Sequence, residues 1–170
     1  MYRTITRIDE KALKEIKPFL ILTSYKILNY IGTIAGFIYG GMNIYLKEYP
    51  QAIIGFLLGF IFFITPEIRA NRIIKRHLQV TQEIDGKPYV DYEISFEDNG
   101  FEATNLKTNG SAIFKFEDIK KFEATENYFY LSTKANQFVL VDKRKLSQQD
   151  LVKLLKLLEK NLKHIRRKKK

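Results

Sequence analysis

The residue types that most often perform chemistry in proteins are scarce in this chain and are poorly placed for it. The 170 residues include no cysteine, which excludes disulfides, thiolate catalysis and thiolate metal sites. The two histidines, His77 and His164, lie in basic runs without a second ligand at metal-binding spacing. No serine stands in a nucleophile elbow, and no glycine-rich loop joins a strand to a helix. The sequence therefore predicts a protein that is not an enzyme, with no cofactor and no metal.

Positive charge is the second candidate feature, because it is concentrated at the C-terminus of a chain with a formal net charge of +10. The last five residues form an unbroken basic run, namely Arg166, Arg167, Lys168, Lys169 and Lys170. Such clusters attract anionic lipid or nucleic acid. We predict contact with anionic lipid at the inner leaflet and no nucleic-acid binding, because no aromatic side chains interleave the cluster to stack on bases. A merely solvated tail is the alternative.

Small residues at helical spacing are the third feature. They are Asn29, Gly32, Gly36, Gly40 and Asn43 in one apolar run, and Gly55 and Gly59 in the next. Small residues let helix backbones approach closely, and asparagine amides can hydrogen-bond across such a contact. Two interpretations stay open: the stripe closes a helical hairpin within one chain, or it forms the seam of a homodimer.

These stripes belong to two uncharged runs, residues 27–46 and 49–66. A helix of twenty residues spans about 30 Å, the thickness of a bilayer's hydrocarbon core. Only Lys47 and Glu48 separate the runs, so the pattern predicts two antiparallel transmembrane helices. Basic residues flank the outer ends of both runs, whereas the loop has one lysine, so both termini are predicted to be cytoplasmic and the location to be the cell membrane.

The remainder of the chain predicts a cytoplasmic β domain. From residue 89 apolar residues alternate with polar ones, and Asn99-Gly100 and Asn109-Gly110 indicate hairpin turns. The expected strands cover residues 90–96, 101–106, 112–116, 121–125, 128–133 and 137–141. Ser147 and Asp150 form a capping box before a leucine stripe, which indicates a closing helix packed on the sheet. The predicted fold class is an α+β membrane protein: a two-helix transmembrane hairpin plus an antiparallel β domain closed by a C-terminal helix.

Four segments follow from this organisation. Residues 1–26 form a lead-in, 27–68 the hairpin, 69–88 a basic connector and 89–170 the cytoplasmic domain with its tail. The lead-in has a helical apolar pattern between Ile8 and Leu22. It fits an interfacial amphipathic helix or a segment packed on the cytoplasmic domain.

The order of these parts, with three local motifs, resembles the YcxB-like family of small bacterial membrane proteins. The motifs are Phe116-Glu117-Asp118-Ile119-Lys120-Lys121, Tyr128-Phe129-Tyr130-Leu131 and Val141-Asp142-Lys143-Arg144. The chain departs from the family in having Asp142 where a proline is common, and in lacking the tryptophan that often precedes the Asp-Ile turn. The resemblance implies a pleckstrin-homology-like domain and brings no established activity or catalytic residues.

Three functions are compatible with the sequence. The first is a membrane-anchored interaction or regulatory module with an unknown protein partner. The second is a module that senses anionic lipid, although the early Asp98-Asn99-Gly100 loop is acidic where phosphoinositide-binding domains are basic. The third is an envelope-stress or antimicrobial-peptide immunity protein, which only the size and topology suggest.

Overall fold

The computed structural model describes residues 2–162 and shows a mixed α+β protein with antiparallel sheets. The chain divides into two compact units. The β unit combines the chain up to Ile16 with the chain from Leu78 onward, and the helical unit comprises Lys17–His77. The β unit is therefore discontinuous in sequence, with the helical unit inserted into it.

The β unit contains two sheets. Four strands form the first sheet in sequence order: β1 (Tyr2–Ile8), β2 (Val90–Phe96), β3 (Gly100–Asn105) and β4 (Ser111–Lys115). Three strands form the second: β5 (Ile119–Ala124), β6 (Tyr128–Thr133) and β7 (Phe138–Asp142). All neighbouring pairs are antiparallel. Short connections predict this arrangement for the pairs from β2 to β4 and from β5 to β7, whereas β1 and β2 are separated by the helical unit.

Strand β1 has no counterpart in the sequence analysis. It pairs with β2 so that Thr4 lies opposite Ile94 and Ile8 opposite Val90. The helical pattern expected between Ile8 and Leu22 begins only after this strand, with α1 (Glu10–Glu15) and α2 (Lys17–Leu20). The N-terminal segment thus divides between the two units, whereas the sequence analysis kept residues 1–26 together as a lead-in.

The core of the β unit lies between the sheets and α5 (Gln148–Asn161). Ser147 caps α5 as predicted, since its hydroxyl accepts from the Asp150 N–H at 3.1 Å and donates to the Asp150 carboxylate at 2.7 Å. Leu154 and Leu158 of the predicted stripe are fully buried. Strand β4 is an edge strand whose side chains are exposed apart from the partly buried Phe114, and Phe116 is buried just after the strand.

The helical unit contains α2, α3 (Thr23–Tyr45) and most of α4 (Tyr49–Asp85). Lys47 adopts a φ of 61° in the tight turn between α3 and α4. Within residues 2–162, α4 is the one helix long and apolar enough to cross a membrane on length and composition. The other predicted span, α3, falls short of that measure, because its asparagines and glycines lower its mean hydropathy.

Candidate membrane hairpin and polar surfaces

The glycines predicted to pack helices lie face to face where α3 meets α4. A Cβ atom added to Gly36 would lie 2.6 Å from the Cα of Gly59, and one added to Gly55 would lie 2.8 Å from the Cα of Gly40. These distances are shorter than any real Cβ contact, so the two backbones touch where no side chain fits. The stripe thus meets its complement within one chain.

The remaining predicted packing residues lie near the two ends of this contact. A Cβ atom at Gly32 would meet the ring of Phe62 at 2.8 Å. Asn29 and Asn43 are both buried, and their side-chain amides donate at 2.8 Å to carbonyls four residues earlier in α3. The donors expected to reach across the contact are therefore bonded within their own helix, where the i−4 carbonyl is the nearest acceptor.

The outer surfaces of α3 and α4 are apolar and exposed. Of the 30 large apolar residues that are exposed among residues 2–162, 23 lie between Leu22 and Ile68. Monomeric soluble proteins rarely expose contiguous apolar patches of more than a few hundred square ångströms. The exposed apolar surface of the described chain is therefore concentrated on the helical unit.

Charged residues gather at the end of the helical unit where the chain enters and leaves it. Lys17 forms an ion pair with Glu67, and the Lys26 ammonium donates to the Pro18 carbonyl. The Arg69 guanidinium lies 4.3 Å from the centre of the Tyr25 ring, within cation–π range. These contacts hold the cationic side chains beside the apolar helices.

A polar cluster joins β1 to the end of β7. The Asp142 N–H donates to the Thr6 hydroxyl at 2.9 Å, so a side chain of the first sheet satisfies a backbone donor of the second. Asp142 is only 3 % exposed, and its carboxylate accepts from the Arg144 guanidinium at 2.9 and 2.8 Å. Arg144 also donates to the Tyr128 hydroxyl at 2.9 Å.

The electrostatics of this cluster favour a structural role. Burial alone raises the pKa of Asp142, but the hydrogen bonds and charge of Arg144 outweigh it, so this pKa lies below its ordinary value. Burial also raises the pKa of Tyr128, which keeps its hydroxyl protonated. The Asp142 carboxylate is bound to the Arg144 guanidinium, and the Tyr128 phenol stays protonated. Such groups hold strands together and are poorly suited to proton transfer.

Glu15 makes a second link between the ends of the β unit. Its carboxylate accepts from the Asn127 N–H at 2.7 Å and from the Asn127 side-chain amide at 2.9 Å, which fastens the end of α1 to the turn before β6. Burial raises the pKa of Glu15, but hydrogen bonds from Thr125 and Asn127 lower it by more than burial raises it. The pKa of Glu15 therefore lies below its ordinary value.

We expect the β unit to lose stability in acid because of Glu15 and Asp142. Both pKa values are depressed on folding, so the stabilisation is present above the unfolded pKa of about 4 and is lost as pH falls through the lower folded values. The measurement is hydrogen exchange at the Asn127 amide of the full chain in detergent, between about pH 5 and pH 2. In Glu15→Gln, the protection of the Asn127 amide against exchange should depend less on pH. The same pH dependence in this variant as in the unaltered chain would contradict the role assigned to Glu15.

The polar cluster was not predicted, because Asp142 entered the sequence analysis only as part of the Val141-Asp142-Lys143-Arg144 motif. A signal was present: Asp142 ends an apolar run and precedes Arg144 by two residues. That spacing lets the carboxylate accept from the Arg144 N–H, which it does at 3.0 Å. The partner Thr6 lies before the helical unit, so spacing could not indicate it.

A charged cleft of about 570 Å³ lies between the β2–β3 turn and α5. Lys153, Lys156 and Lys160 line one side, and Glu97 and Asp98 line the other. The mixed charge agrees with the acidic character predicted for this turn. The lysines recur along one face of the helix that leads towards the basic tail.

The remaining predicted residues are the two histidines and the C-terminal basic run. His77 is half-buried in α4. His164 and the predicted lipid-contact run 166–170 lie outside the described residues. Within residues 2–162, no group of three or more acidic or histidine side chains is arranged to hold a metal ion.

Comparison with known proteins finds one family model that matches part of the β unit. Residues 96–158 match the family model described as YcxB-like protein, which confirms the resemblance over that range. The match runs from the last residue of β2 into α5 and includes all three motifs on which the resemblance rests. No curated protein and no solved structure matches the chain.

Proposed function

We propose that this chain, with its YcxB-like match across residues 96–158, is a membrane-anchored, non-enzymatic interaction or regulatory module that acts on the cytoplasmic side of the cell membrane. One observation carries the proposal: the exposed apolar side chains of the described chain concentrate on the two helices inserted into the β unit. Removing such a surface from water is the largest favourable contribution to the free energy of these helices.

The hairpin would cross the bilayer twice. Helix α4 has 37 residues, about 55 Å at the usual helical rise, so it can span a hydrocarbon core and continue well beyond it. Helix α3, with 23 residues, is also long enough, and its glycine contact with α4 lowers the exposure of its less apolar face. Each asparagine amide of that face donates to a carbonyl of its own helix, which lowers the cost of placing it in a bilayer interior.

The pairing of β1 with β2 supports the same-side topology. The chain leaves β1 at Ile8 and enters β2 at Val90, with the helical unit between them, and these two residues lie opposite each other in one sheet. A segment that begins and ends at one folded domain must cross a membrane an even number of times. The basic residues near the outer ends of the hairpin favour the cytoplasm for that domain.

The β unit would be the interacting part. Two sheets of four and three antiparallel strands, followed by a helix, agree with the pleckstrin-homology-like fold that the family resemblance implies. Folds of this kind serve many functions, so the fold alone brings no ligand. Anionic-lipid sensing is the alternative function, and the row of lysines on α5 favours it.

The topology is tested by fusing alkaline phosphatase, which is active only outside the cytoplasm, to the full chain. Fusion within the turn at Lys47 should give activity, and fusion after residue 170 should give none. The chain should also stay with the membrane fraction after an alkaline wash. Activity at the C-terminus, or release of the chain by the wash, would contradict the proposal.

A further inference from the structure

A cleft of about 480 Å³ opens on the helical unit, at the end where the chain enters and leaves it. Ile21, Tyr30, Phe62 and Phe63 supply its apolar wall. Lys17 and Lys26 line the same cleft, together with Glu67. The cleft therefore combines an apolar surface with two ammonium groups, all within one compact unit.

The charged groups of the cleft are held in place but are not fully neutralised. Glu67 pairs with Lys17, and its carboxylate is 65 % exposed, whereas Lys17 is only 21 % exposed. The cleft thus has two ammonium groups against one carboxylate, so the charge of its lining stays positive. Lys26 donates to a neutral backbone carbonyl, so no carboxylate offsets its charge there.

The position of the cleft along the hairpin matches the level of lipid headgroups. Lys26 immediately precedes the uncharged run 27–46, and Glu67 immediately follows Pro66 at the end of the second run. Phe62 and Phe63 lie about one turn of α4 before that border, on the apolar side. The ammonium groups therefore lie at the border of the apolar run, and the aromatic rings lie on its apolar side. A phospholipid has its phosphate and its acyl chains in the same order.

We propose that this cleft binds one anionic phospholipid, with the headgroup phosphate at Lys17 and Lys26 and an acyl chain along Phe62 and Phe63. Charge complementarity selects the anionic headgroup, and the adjoining apolar wall selects a lipid over a soluble phosphate. The inference rests on the proposed membrane hairpin. It concerns a site separate from the C-terminal basic run, because every residue of the cleft lies in the helical unit.

The test uses the absence of tryptophan from the sequence. Phe63→Trp places a single fluorophore in the cleft, and Phe60→Trp places a matched one at another exposed apolar position of α4. Each full-length variant is reconstituted in phosphatidylcholine vesicles with a minor share of phosphatidylglycerol, and either lipid carries brominated chains. Bromine quenches tryptophan only in near contact, so quenching reports the local lipid composition.

For Phe63→Trp, quenching by brominated phosphatidylglycerol should correspond to a local share of this lipid roughly tenfold above its bulk share, because two lysines attract the headgroup. At Phe60→Trp, quenching should follow the bulk share. Adding Lys17→Gln and Lys26→Gln to Phe63→Trp should remove the enrichment, whereas Lys47→Gln, at the opposite end of the hairpin, should not. Millimolar inorganic phosphate should not compete.

The possible failures are distinguishable. Quenching at both positions in proportion to bulk lipid would overturn the cleft and leave the membrane hairpin intact. An enrichment that survives Lys17→Gln with Lys26→Gln would also overturn it. Competition by inorganic phosphate would show an anion site without lipid selectivity and would overturn the commitment to a phospholipid. No quenching by any brominated lipid at either position would contradict the membrane hairpin itself.

Discussion

Gly36→Ile is expected to break the packing of α3 on α4 and to destabilise the helical unit by about 3 kcal/mol or more, the upper part of the range for overpacking. The added Cβ would lie 2.6 Å from both the Cα and the N of Gly59. Those atoms belong to the backbone of a helix, so no rotamer change can make room. The measurement is thermal unfolding of the full chain in detergent.

Gly41→Ile is the matched control, because it makes the same replacement in the same helix where nothing lies within 4 Å of an added Cβ. Both variants change helix propensity equally, so a difference between them isolates the contact. Equal unfolding temperatures would contradict close packing at Gly36. Cross-linking in membranes separates the two interpretations of the stripe: a hairpin seam leaves cross-linking unaffected, and a dimer seam loses it.

Arg144→Ala is expected to cost the β unit about 3 kcal/mol, the lower end of the range for breaking a buried ion pair. The Asp142 carboxylate would keep its bond from the backbone N–H of residue 144 and lose both guanidinium bonds. The lower end applies because the Arg144 side chain is 57 % exposed, so water replaces part of its contribution. Urea unfolding of the full chain, followed by hydrogen exchange in β6 and β7, measures the effect.

Lys145→Ala is the control for Arg144→Ala, since it removes a neighbouring exposed cation that makes no hydrogen bond to Asp142 among the described contacts. Combining Arg144→Ala with Asp142→Asn should recover part of the loss, because the amide carries no uncompensated charge. A loss no larger than that of Lys145→Ala would show that Asp142 does not depend on its partner.

Local patterns predicted the local structure well. The uncharged runs became α3 and α4, the period-two segments became β2 to β7, and the box formed by Ser147 and Asp150 caps α5. Each of these features depends on residues within a few positions of one another. Their signals therefore lie in short windows of sequence.

Contacts between distant segments were the part that the sequence did not reveal. Strand β1 turns Thr4 and Thr6 inward, so it lacks the alternation of apolar and polar residues that marks a half-buried strand. Its partner β2 lies beyond the helical unit. The role of Asp142 stayed hidden for the same reason, since Thr6 belongs to β1. A fragment beginning at residue 89 would lack this strand, so experiments on the β unit need the full chain.

The discontinuity of the β unit imposes an order on biosynthesis. The ribosome makes β1 first, but β1 gains its partner only after the whole helical unit has been synthesised. Until then β1 presents an unpaired edge, the kind of surface that templates aggregation. The Lys17–Glu67 ion pair brings the two ends of the helical unit together, which lowers the entropic cost of closing so long a loop. Because Ile8 lies opposite Val90, the two ends of the intervening segment must come together before the first sheet is complete.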